Sequence, residues 1–310
     1  MKIIELKHAV STAEEVVIIG KINTINESTT RDGQPFISVN VEDATGSVTG
    51  RLWNTKEHGF EKGMVYEVTG TMSEYNGRLQ LIVSDYTQIL DEAIVSSFFT
   101  SAPKSKEWLI EQVNYYVGLI TDNDYQQVVK TLLTKHHEDF FEYPAATQNH
   151  HAYLQGLSFH TVSMCQLAES IMPRYEMFDP SLVYAGILLH DLGKIVELSD
   201  AKGPEYTNEG KLLGHLVLGA QWAKETAQTL GVAEEKSLLL QHLIISHHGR
   251  REWGAAQVPQ TAEAELLYFI DNLDSKMESI RVFLDEVAVG EWTKRIPVLD
   301  GRSLYRHKKN

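Results

Sequence analysis

The sequence predicts a multidomain protein in which a small all-β barrel is followed by an all-α domain. Residues 14–90 contain five short segments rich in Val, Ile, Thr and Tyr, separated by turn signals, as expected for strands. Beyond about residue 100, the apolar residues recur at helical spacing instead. The chain has 310 residues, which is long enough for two domains of ordinary size.

The five predicted strands have the number and length that suit a small closed barrel. Asn76-Gly77 lies between the last two of them and is a strong hairpin signal. The stretch 54–62, between the third and fourth strands, is a candidate for a short helix. The strand segments read VVIIGKI, FISVNVED, SVTGRLW, VYEVTGTM and RLQLIVSDY.

In the second half, one predicted helix ends at Pro173 and the next begins at Asp179-Pro180. Proline should end the first helix, whereas an aspartate followed by proline is a typical N-cap and first helical position. The helix that begins there runs SLVYAGILLH, and three later segments also have helical spacing: KLLGHLVLGAQWAKETAQTL, EKSLLLQHLIISHHG and AEAELLYFIDNLDSKMESI.

The composition is that of a globular protein, with 43% hydrophobic residues, 23% charged residues and a net charge of −14. This charge argues against a protein that coats nucleic acid non-specifically. We expect a cytoplasmic protein without a membrane span, because there is no apolar run of about 20 residues and no signal peptide. The single cysteine, Cys165, falls in an apolar helical pattern and should be a buried packing residue. Residues 291–310 hold six Lys or Arg against two acidic residues and predict a solvated basic tail.

His190 and Asp191 interrupt the apolar end of a predicted buried helix, where a charge is costly unless it is paired. Further histidines and acids are embedded in the other apolar helical runs. Imidazole and carboxylate without thiolate form a ligand set for Mn, Fe, Zn or Ni, so the sequence predicts a divalent metal centre. The candidate ligands are His160, His190, Asp191, His215, His247, His248 and Asp271.

The order of these residues resembles that of the HD-domain phosphohydrolases. The sequence segments that contain them are NHHAYLQGLSFHT, LLHDLGKI, GKLLGHL, ISHHGRREWG and FIDNLDSKM. In the first half, VEDATGSVTGRLW followed by YEVTGTMSEYNGRLQL resembles OB-fold nucleic-acid-binding domains. With both halves together, the chain resembles the YhaM-type 3′-to-5′ exoribonucleases along essentially its full length. The Gly-Tyr-Pro that follows the histidine pair in one class of cyclic-dinucleotide phosphodiesterases is replaced here by Gly249-Arg250-Arg251.

The resemblance implies two metal ions, with Mn favoured and Fe, Co or Ni as alternatives. His160, His190, Asp191 and Asp271 would hold one ion, and His215, His247 and His248 would complete a second site that Asp191 bridges. Asp274 lies three residues after Asp271 on nearly the same helical face, so either could be the ligand, with Asp271 matching the family position better. Asp191 and Lys194 are the catalytic candidates, and Lys194 would contact a phosphate or pair with an acidic neighbour.

Each candidate substrate contact has an ordinary structural role as its alternative. In the helical half they are His150, His151, Arg250 and Arg251, for which surface roles are the alternative. In the barrel, Trp53 and Phe36 are candidates for base stacking, together with Tyr66 and Tyr75, and core or cross-strand packing is the alternative. Residues 16–90 contain six basic and nine acidic residues, so RNA binding there would need a local patch.

The implied layout is an OB-fold domain at 1–90, a linker at 91–105, an HD domain at 106–290 and the basic tail at 291–310. The implied function is metal-dependent 3′-to-5′ hydrolysis of single-stranded RNA, and also of single-stranded DNA, to nucleoside monophosphates. Two alternatives remain open: an HD-domain nucleotide or cyclic-dinucleotide phosphohydrolase, and a non-catalytic single-strand-binding or replication factor. The sequence also leaves open whether the chain forms a homo-oligomer.

Overall fold

The computed structural model describes residues 2–6, 15–147, 151–202 and 204–308. The chain divides into two compact units, Met1–Thr100 and Ser101–Asn310. The first unit contains α1 (Ile3–Leu6), β1 (Glu15–Thr29), β2 (Pro35–Asp43), β3 (Gly46–Trp53), β4 (Val65–Tyr75), β5 (Arg78–Gln88) and α2 (Glu92–Ser96). The second contains α3 (Lys106–Leu119), α4 (Asn123–Lys135), α5 (His137–Phe140), α6 (Gly156–Ile171), α7 (Pro180–Leu189), α8 (Lys194–Glu197), α9 (Asn208–Leu212), α10 (Gly214–Leu230), α11 (Glu234–Ser246) and α12 (Ala262–Asp285). In the part of the chain that the structure describes, no helix is both long enough and apolar enough to cross a bilayer.

The first unit is a closed barrel with the strand order β1-β2-β3-β5-β4, which confirms the predicted five-stranded barrel. β3 and β5 pair in parallel, and the other neighbours pair antiparallel, with β1 closing the barrel against β4. Alternate residues of the strands point inward, because successive side chains of a strand face opposite sides. Ile18, Ile37 and Val39 are among the fully buried residues of the barrel core.

Two features of β4 and β5 show how the chain bends around this barrel. The predicted hairpin is present, with Asn76 at φ 52° and Gly77 at φ 73°, the left-handed values that a tight hairpin turn requires. The pairing register shifts between Thr69 and Gly70, and a Cβ at Gly70 would lie 2.3 Å from the Ile82 carbonyl oxygen. Glycine at this bulge therefore lets β4 and β5 approach closely where the sheet curves.

The predicted short helix at 54–62 is wrong, because these residues form an irregular loop. The Phe60 ring stacks on Tyr86 with centroids 4.0 Å apart. The Tyr66 hydroxyl donates to the Gly59 carbonyl at 2.9 Å, and the Gly59 N–H donates to the Tyr86 hydroxyl at 2.8 Å. These tertiary contacts bind the backbone groups that a helix would have used internally.

The second unit is built around α7, which is buried from Ser181 to its end at Leu189. Asp179 caps its N-terminus by accepting from the backbone N–H groups of Ser181 and Leu182, as predicted from Asp179-Pro180. The helix preceding it, α6, ends at Ile171 and passes into a 3₁₀ turn that contains Pro173, also as predicted. Because α7 ends at Leu189, its last turn delivers His190 and Asp191 into the centre of the helical unit.

Cys165 is fully buried and free, which confirms its predicted packing role.

The C-terminal segment 291–308 is more ordered than the predicted solvated tail. Bridges join Trp292 to Tyr305 and Ile296 to Arg302, and a 3₁₀ turn at Pro297–Leu299 packs against α12. Ile296 is fully buried. Apolar residues anchor this segment, whereas the predicted solvated tail was based on its charged residues alone.

Candidate metal centre

The structure brings together all seven predicted ligand residues, which come from five parts of the helical unit. One lies inside α6, two follow the end of α7, one opens α10, two follow α11 and one lies inside α12. They are His160, His190, Asp191, His215, His247, His248 and Asp271.

Asp191 lies at the centre of this cluster, with its two carboxylate oxygens facing different histidines. Its Oδ2 atom lies 3.2 Å from His190 Nε2 and 3.8 Å from His160 Nε2. Its Oδ1 atom lies 3.4 Å from His215 Nε2 and 3.6 Å from His247 Nε2. One carboxylate thus stands between two groups of imidazoles.

Backbone carbonyls set the tautomers of two of these histidines. The Nδ1–H of His190 donates to the Ile187 carbonyl at 2.7 Å, and that of His247 donates to the Ile244 carbonyl at 2.8 Å. Because a carbonyl can only accept, the proton of each neutral ring is held on Nδ1. The Nε2 lone pairs are therefore directed toward Asp191, as a metal ligand requires.

Carboxylates set the orientation of two further rings. Glu197 accepts from Nδ1 of His215 at 3.0 Å and also from its backbone N–H at 3.1 Å. Asp274 accepts from Nδ1 of His160 at 2.7 Å. Carboxylates that hold a histidine from behind in this way are the usual support of metal-binding imidazoles. Glu197 was not predicted from the sequence, which carries no local signal for this role.

Asp271 and Asp274 lie on opposite sides of the His160 ring, and the sequence could not distinguish them. Asp271 Oδ1 lies 3.2 Å from Nε2, the ring atom that also faces Asp191. Asp274 contacts the other nitrogen of the His160 ring, Nδ1. It also accepts hydrogen bonds from His151 Nε2 at 2.7 Å and from the Ser163 hydroxyl. The geometry therefore places Asp271 among the clustered ligand atoms and Asp274 behind them.

Four buried polar atoms of the cluster have no hydrogen-bond partner among the residues that the structure describes: His190 Nε2, Asp191 Oδ1, His215 Nε2 and His248 Nδ1. Leaving such atoms unsatisfied costs about 1–3 kcal/mol each. The ligand atoms of His160, His190 and Asp191 lie within 4.8 Å of one another, as do those of His215, His247 and His248. Lone pairs of nitrogen and carboxylate oxygen that converge in this way fit a divalent cation.

The carboxylates of the cluster are held in their ionised form. Burial alone would raise the pKa of Asp191, but the Lys194 ammonium, 2.7 Å from Oδ2, holds that pKa well below its ordinary value. Burial also opposes ionisation of Asp271, and the hydrogen bond from His160 outweighs it, so the pKa of Asp271 is lowered as well. Two buried negative charges at neutral pH favour a divalent cation.

The histidines differ in charge according to their neighbours. Burial and the adjacent His190 ring hold the pKa of His247 well below its ordinary value, so this imidazole is neutral. Burial also disfavours the charged form of His160, but Asp271 and Asp274 on its two sides raise its pKa to about 10. A cation that binds Nε2 of His160 must therefore displace a proton.

Lys194 forms an ion pair with Asp191, with 2.7 Å between Nζ and Oδ2. Its side chain is largely buried and lines the same pocket as His160 and His247. The predicted ion pair of Lys194 is therefore present. Its other predicted role, a contact with a substrate phosphate, would have to be made while Lys194 lies beside Asp191.

The predicted substrate contact of His151 is corrected by the structure. Its side chain is only 1% exposed and lies behind His160, between Asp274 and the Tyr153 hydroxyl. Because both ring nitrogens are engaged there, His151 supports the site from within. His150 lies outside the described residues.

Arg250 and Arg251 are exposed, as surface residues would be. The Arg250 guanidinium lies 4.9 Å from the centre of the Trp253 ring, and Arg251 donates to the Gln257 side chain at 3.0 Å. Trp253 lines the pocket over the cluster, so Arg250 is connected to the site through that ring.

The cluster opens into a pocket of about 400 Å³ with an aromatic wall that sequence reasoning missed. Trp253 and Tyr268 form this wall, and the polar side chains of Asn272 and Ser275 of α12 also line the pocket. The last three could have been found, because they follow helical spacing with Asp271 at i, i+3, i+4 and i+7.

In the barrel, Phe36 and Trp53 face each other across β2 and β3 with ring centroids 4.9 Å apart. Trp53 is 42% exposed, and Arg51 lies 5.0 Å from the Phe36 ring centre. The pair is thus a cross-strand contact that still presents aromatic surface. Tyr66 is a core residue, as the alternative interpretation held.

Family models match both halves of the chain. A model of the HD domain matches residues 157–276, and a model described as an OB-fold nucleic acid binding domain matches residues 16–89. The matched ranges contain the cluster of predicted ligands and nearly all of the five-stranded barrel respectively. The fold and site therefore define a protein that joins an OB-fold domain to a helical HD domain.

Two relatives show which family of OB-fold and HD-domain proteins the chain belongs to. A 3′-5′ exoribonuclease YhaM of Halalkalibacterium halodurans is 40% identical over 290 residues, which cover 92% of this chain and 91% of that protein. A 3′-5′ exoribonuclease YhaM of a Geobacillus species is 37% identical over 298 residues, covering 94% and 92% respectively. The chain therefore belongs to the YhaM family of 3′-5′ exoribonucleases, which confirms the resemblance seen in its sequence.

Among solved structures, a chain of a replication protein A heterotrimer bound to single-stranded DNA aligns with 26% of this chain and 62% of its own length. The identity is 18% and the TM-score 0.23, a similarity too low to bear on function.

Proposed function

We propose that this protein is a metal-dependent exoribonuclease that removes nucleoside monophosphates from the 3′ end of single-stranded RNA. The observation that carries the proposal is the convergence around Asp191 of buried imidazole and carboxylate atoms that have no hydrogen-bond partner within the described part of the chain, which belongs to the YhaM family. The HD domain supports dependence on a divalent metal.

When bound, divalent ions would supply the activated water for attack on the phosphodiester and would neutralise the charge of the reacting phosphate. The protein holds the ligands ready for this. Asp191 carries negative charge at the centre, Glu197 and Asp274 keep two rings in place, and backbone carbonyls hold the tautomers of His190 and His247. Lys194 lies beside Asp191, where its ammonium would contact a phosphate oxygen of the substrate.

We further propose two ions, both of which Asp191 would help to hold. The support is that Oδ2 faces His160 and His190, whereas Oδ1 faces His215 and His247. Mn²⁺ is the favoured metal, since histidine-rich sites suit it better than the oxygen-preferring Mg²⁺, and Fe, Co or Ni would fit the same ligands.

The barrel would bind the single strand, with Trp53 and Phe36 as its stacking residues. Single-stranded DNA would be a second substrate, because stacking and phosphate contacts do not require the 2′-hydroxyl. We place the enzyme in the cytoplasm, because its one thiol, Cys165, is free and suits a reducing compartment.

The test is an RNA assay resolved at single-nucleotide length. Single-stranded RNA labelled at its 5′ end should shorten step by step in the presence of Mn²⁺, and the same RNA labelled at its 3′ end should release a labelled mononucleotide first. The Asp191→Asn protein is the matched control and should leave both RNAs intact. Internal cleavage, or hydrolysis of cyclic dinucleotides without shortening of RNA, would contradict the proposal.

A further inference from the structure

The pocket over the metal-ligand cluster has two chemically different walls. One wall is polar and carries His160, Asp191 and Asp271, and the other carries the aromatic rings of Trp253 and Tyr268. Its volume of about 400 Å³ lies near the small end of the range for ligand pockets. A cavity of this size suits one nucleotide at a time, with its phosphate toward the polar wall.

Trp253 presents a large aromatic face in this pocket. The residue is 45% exposed although it lines the pocket, and its ring centre lies 6.3 Å from that of Tyr268. Two cations lie over the ring, the Arg250 guanidinium at 4.9 Å and the Lys276 ammonium at 5.7 Å from its centre. A base that stacks on the indole would take the place of one of these cations, which would stay close enough to attract the backbone phosphates.

The aromatic wall is fixed to the loop that carries the metal-ligand histidines. Gly249 directly follows His248, adopts φ +74° and lies under the Tyr268 ring. A Cβ at Gly249 would be 2.1 Å from the Tyr268 ring, so only glycine allows this close packing. The distance between the aromatic wall and the ligands is therefore set by packing of the loop against α12.

We propose that Trp253 is the stacking platform for the base of the 3′-terminal nucleotide, with Tyr268 as the adjoining wall. This inference rests on the proposed exoribonuclease function and adds a base-binding subsite to it. Stacking accepts every base, because each has a π-face, so such a subsite serves an enzyme that must remove whichever nucleotide is last. It also aligns the terminal phosphodiester with the ligand cluster, so Trp253 is a positioning residue of the reaction.

The test crosses a change in the enzyme with a change in the RNA. Full-length wild-type and Trp253→Ala proteins would be assayed in Mn²⁺ for removal of the terminal nucleotide from two RNAs. One RNA ends in an ordinary nucleotide, and the other ends in an abasic ribose. Each single change should lower kcat/KM by about 5- to 150-fold, the range that corresponds to the loss of one base–aromatic stack. The two changes together should lower it no further than either one alone, because they remove the same contact.

Two variants separate stacking from a general effect on folding. Trp253→Phe should restore most of the activity, since a phenyl ring still stacks. Trp292→Ala removes another exposed tryptophan, 65% exposed and outside this pocket, and should retain wild-type kcat/KM on both RNAs. Multiplicative losses in the crossed experiment, or wild-type activity of Trp253→Ala, would overturn the subsite while leaving the exoribonuclease function intact. A wild-type protein that shortens neither RNA would overturn both proposals.

Discussion

Replacing Asp274 by Asn tests how the site orients its histidines. In the folded protein, Oδ2 of Asp274 accepts hydrogen bonds from His160 Nδ1 and His151 Nε2, each at 2.7 Å. The other carboxylate oxygen accepts a hydrogen bond from the Ser163 hydroxyl. Both carboxylate oxygens only accept, so the Nδ1 atom of His160 must carry its proton. An amide offers one acceptor and one donor, so at least one of these partners loses its acceptor.

The expected loss can be estimated from the role of this carboxylate. If the amide nitrogen faces His160, the imidazole proton moves to Nε2 and blocks the lone pair that a metal needs. Loss of such a support typically lowers metal affinity by about 10- to 100-fold. The unfolding free energy should also fall, by roughly 1.5–3 kcal/mol, as for a hydrogen bond to a buried charged group.

The assay is RNA hydrolysis as a function of Mn²⁺ concentration, with thermal or denaturant unfolding measured in parallel. The Mn²⁺ concentration that gives half-maximal hydrolysis should rise by about 10- to 100-fold for Asp274→Asn. At saturating Mn²⁺ the rate of hydrolysis should return close to the wild-type rate. Asp285→Asn is the matched control on the same helix, because Asp285 is exposed and pairs with Arg281. An unchanged midpoint would refute the orienting role. A rate that no Mn²⁺ concentration restores would show that Asp274 itself is a ligand.

Three further predictions concern the ligands, the metal and the barrel. Asp191→Asn should abolish hydrolysis while the fold and RNA binding persist, because it removes the central charge; a well-folded variant with full activity would disprove the metal assignment. Chelation by EDTA should silence the enzyme, and Mn²⁺ should restore it better than Mg²⁺; undiminished turnover at a measured metal content of zero would contradict this. Trp53→Ala should weaken binding of long single-stranded RNA by about 1–3 kcal/mol in fluorescence anisotropy, with dinucleotide hydrolysis unchanged. Equal RNA affinity of the Trp53→Ala and wild-type proteins would remove Trp53 from the binding surface.

The sequence alone predicted the architecture and the candidate ligands, apart from the choice between Asp271 and Asp274, because the signals for both are local. Strand and helix periods differ, so the change near residue 100 separates a barrel from a helical unit. Caps and breakers such as Asp179 and Pro173 act over a few residues and are readable without tertiary contacts. Histidines and acids in apolar helices stand out because burial is unfavourable for them unless they share a partner.

The tertiary structure decided which side of each ring a neighbour occupies. Asp271 and Asp274 are three residues apart on one helix, and only the packing of α12 against α6 places them on opposite nitrogens of His160. Folding also turned His151 inward. The loop at 54–62 shows the same limit, since its aromatic ring found partners on β4 and β5. Sequence periodicity reports which residues are buried, whereas the identity and direction of a buried polar contact depend on chain segments that are distant in sequence and adjacent in space.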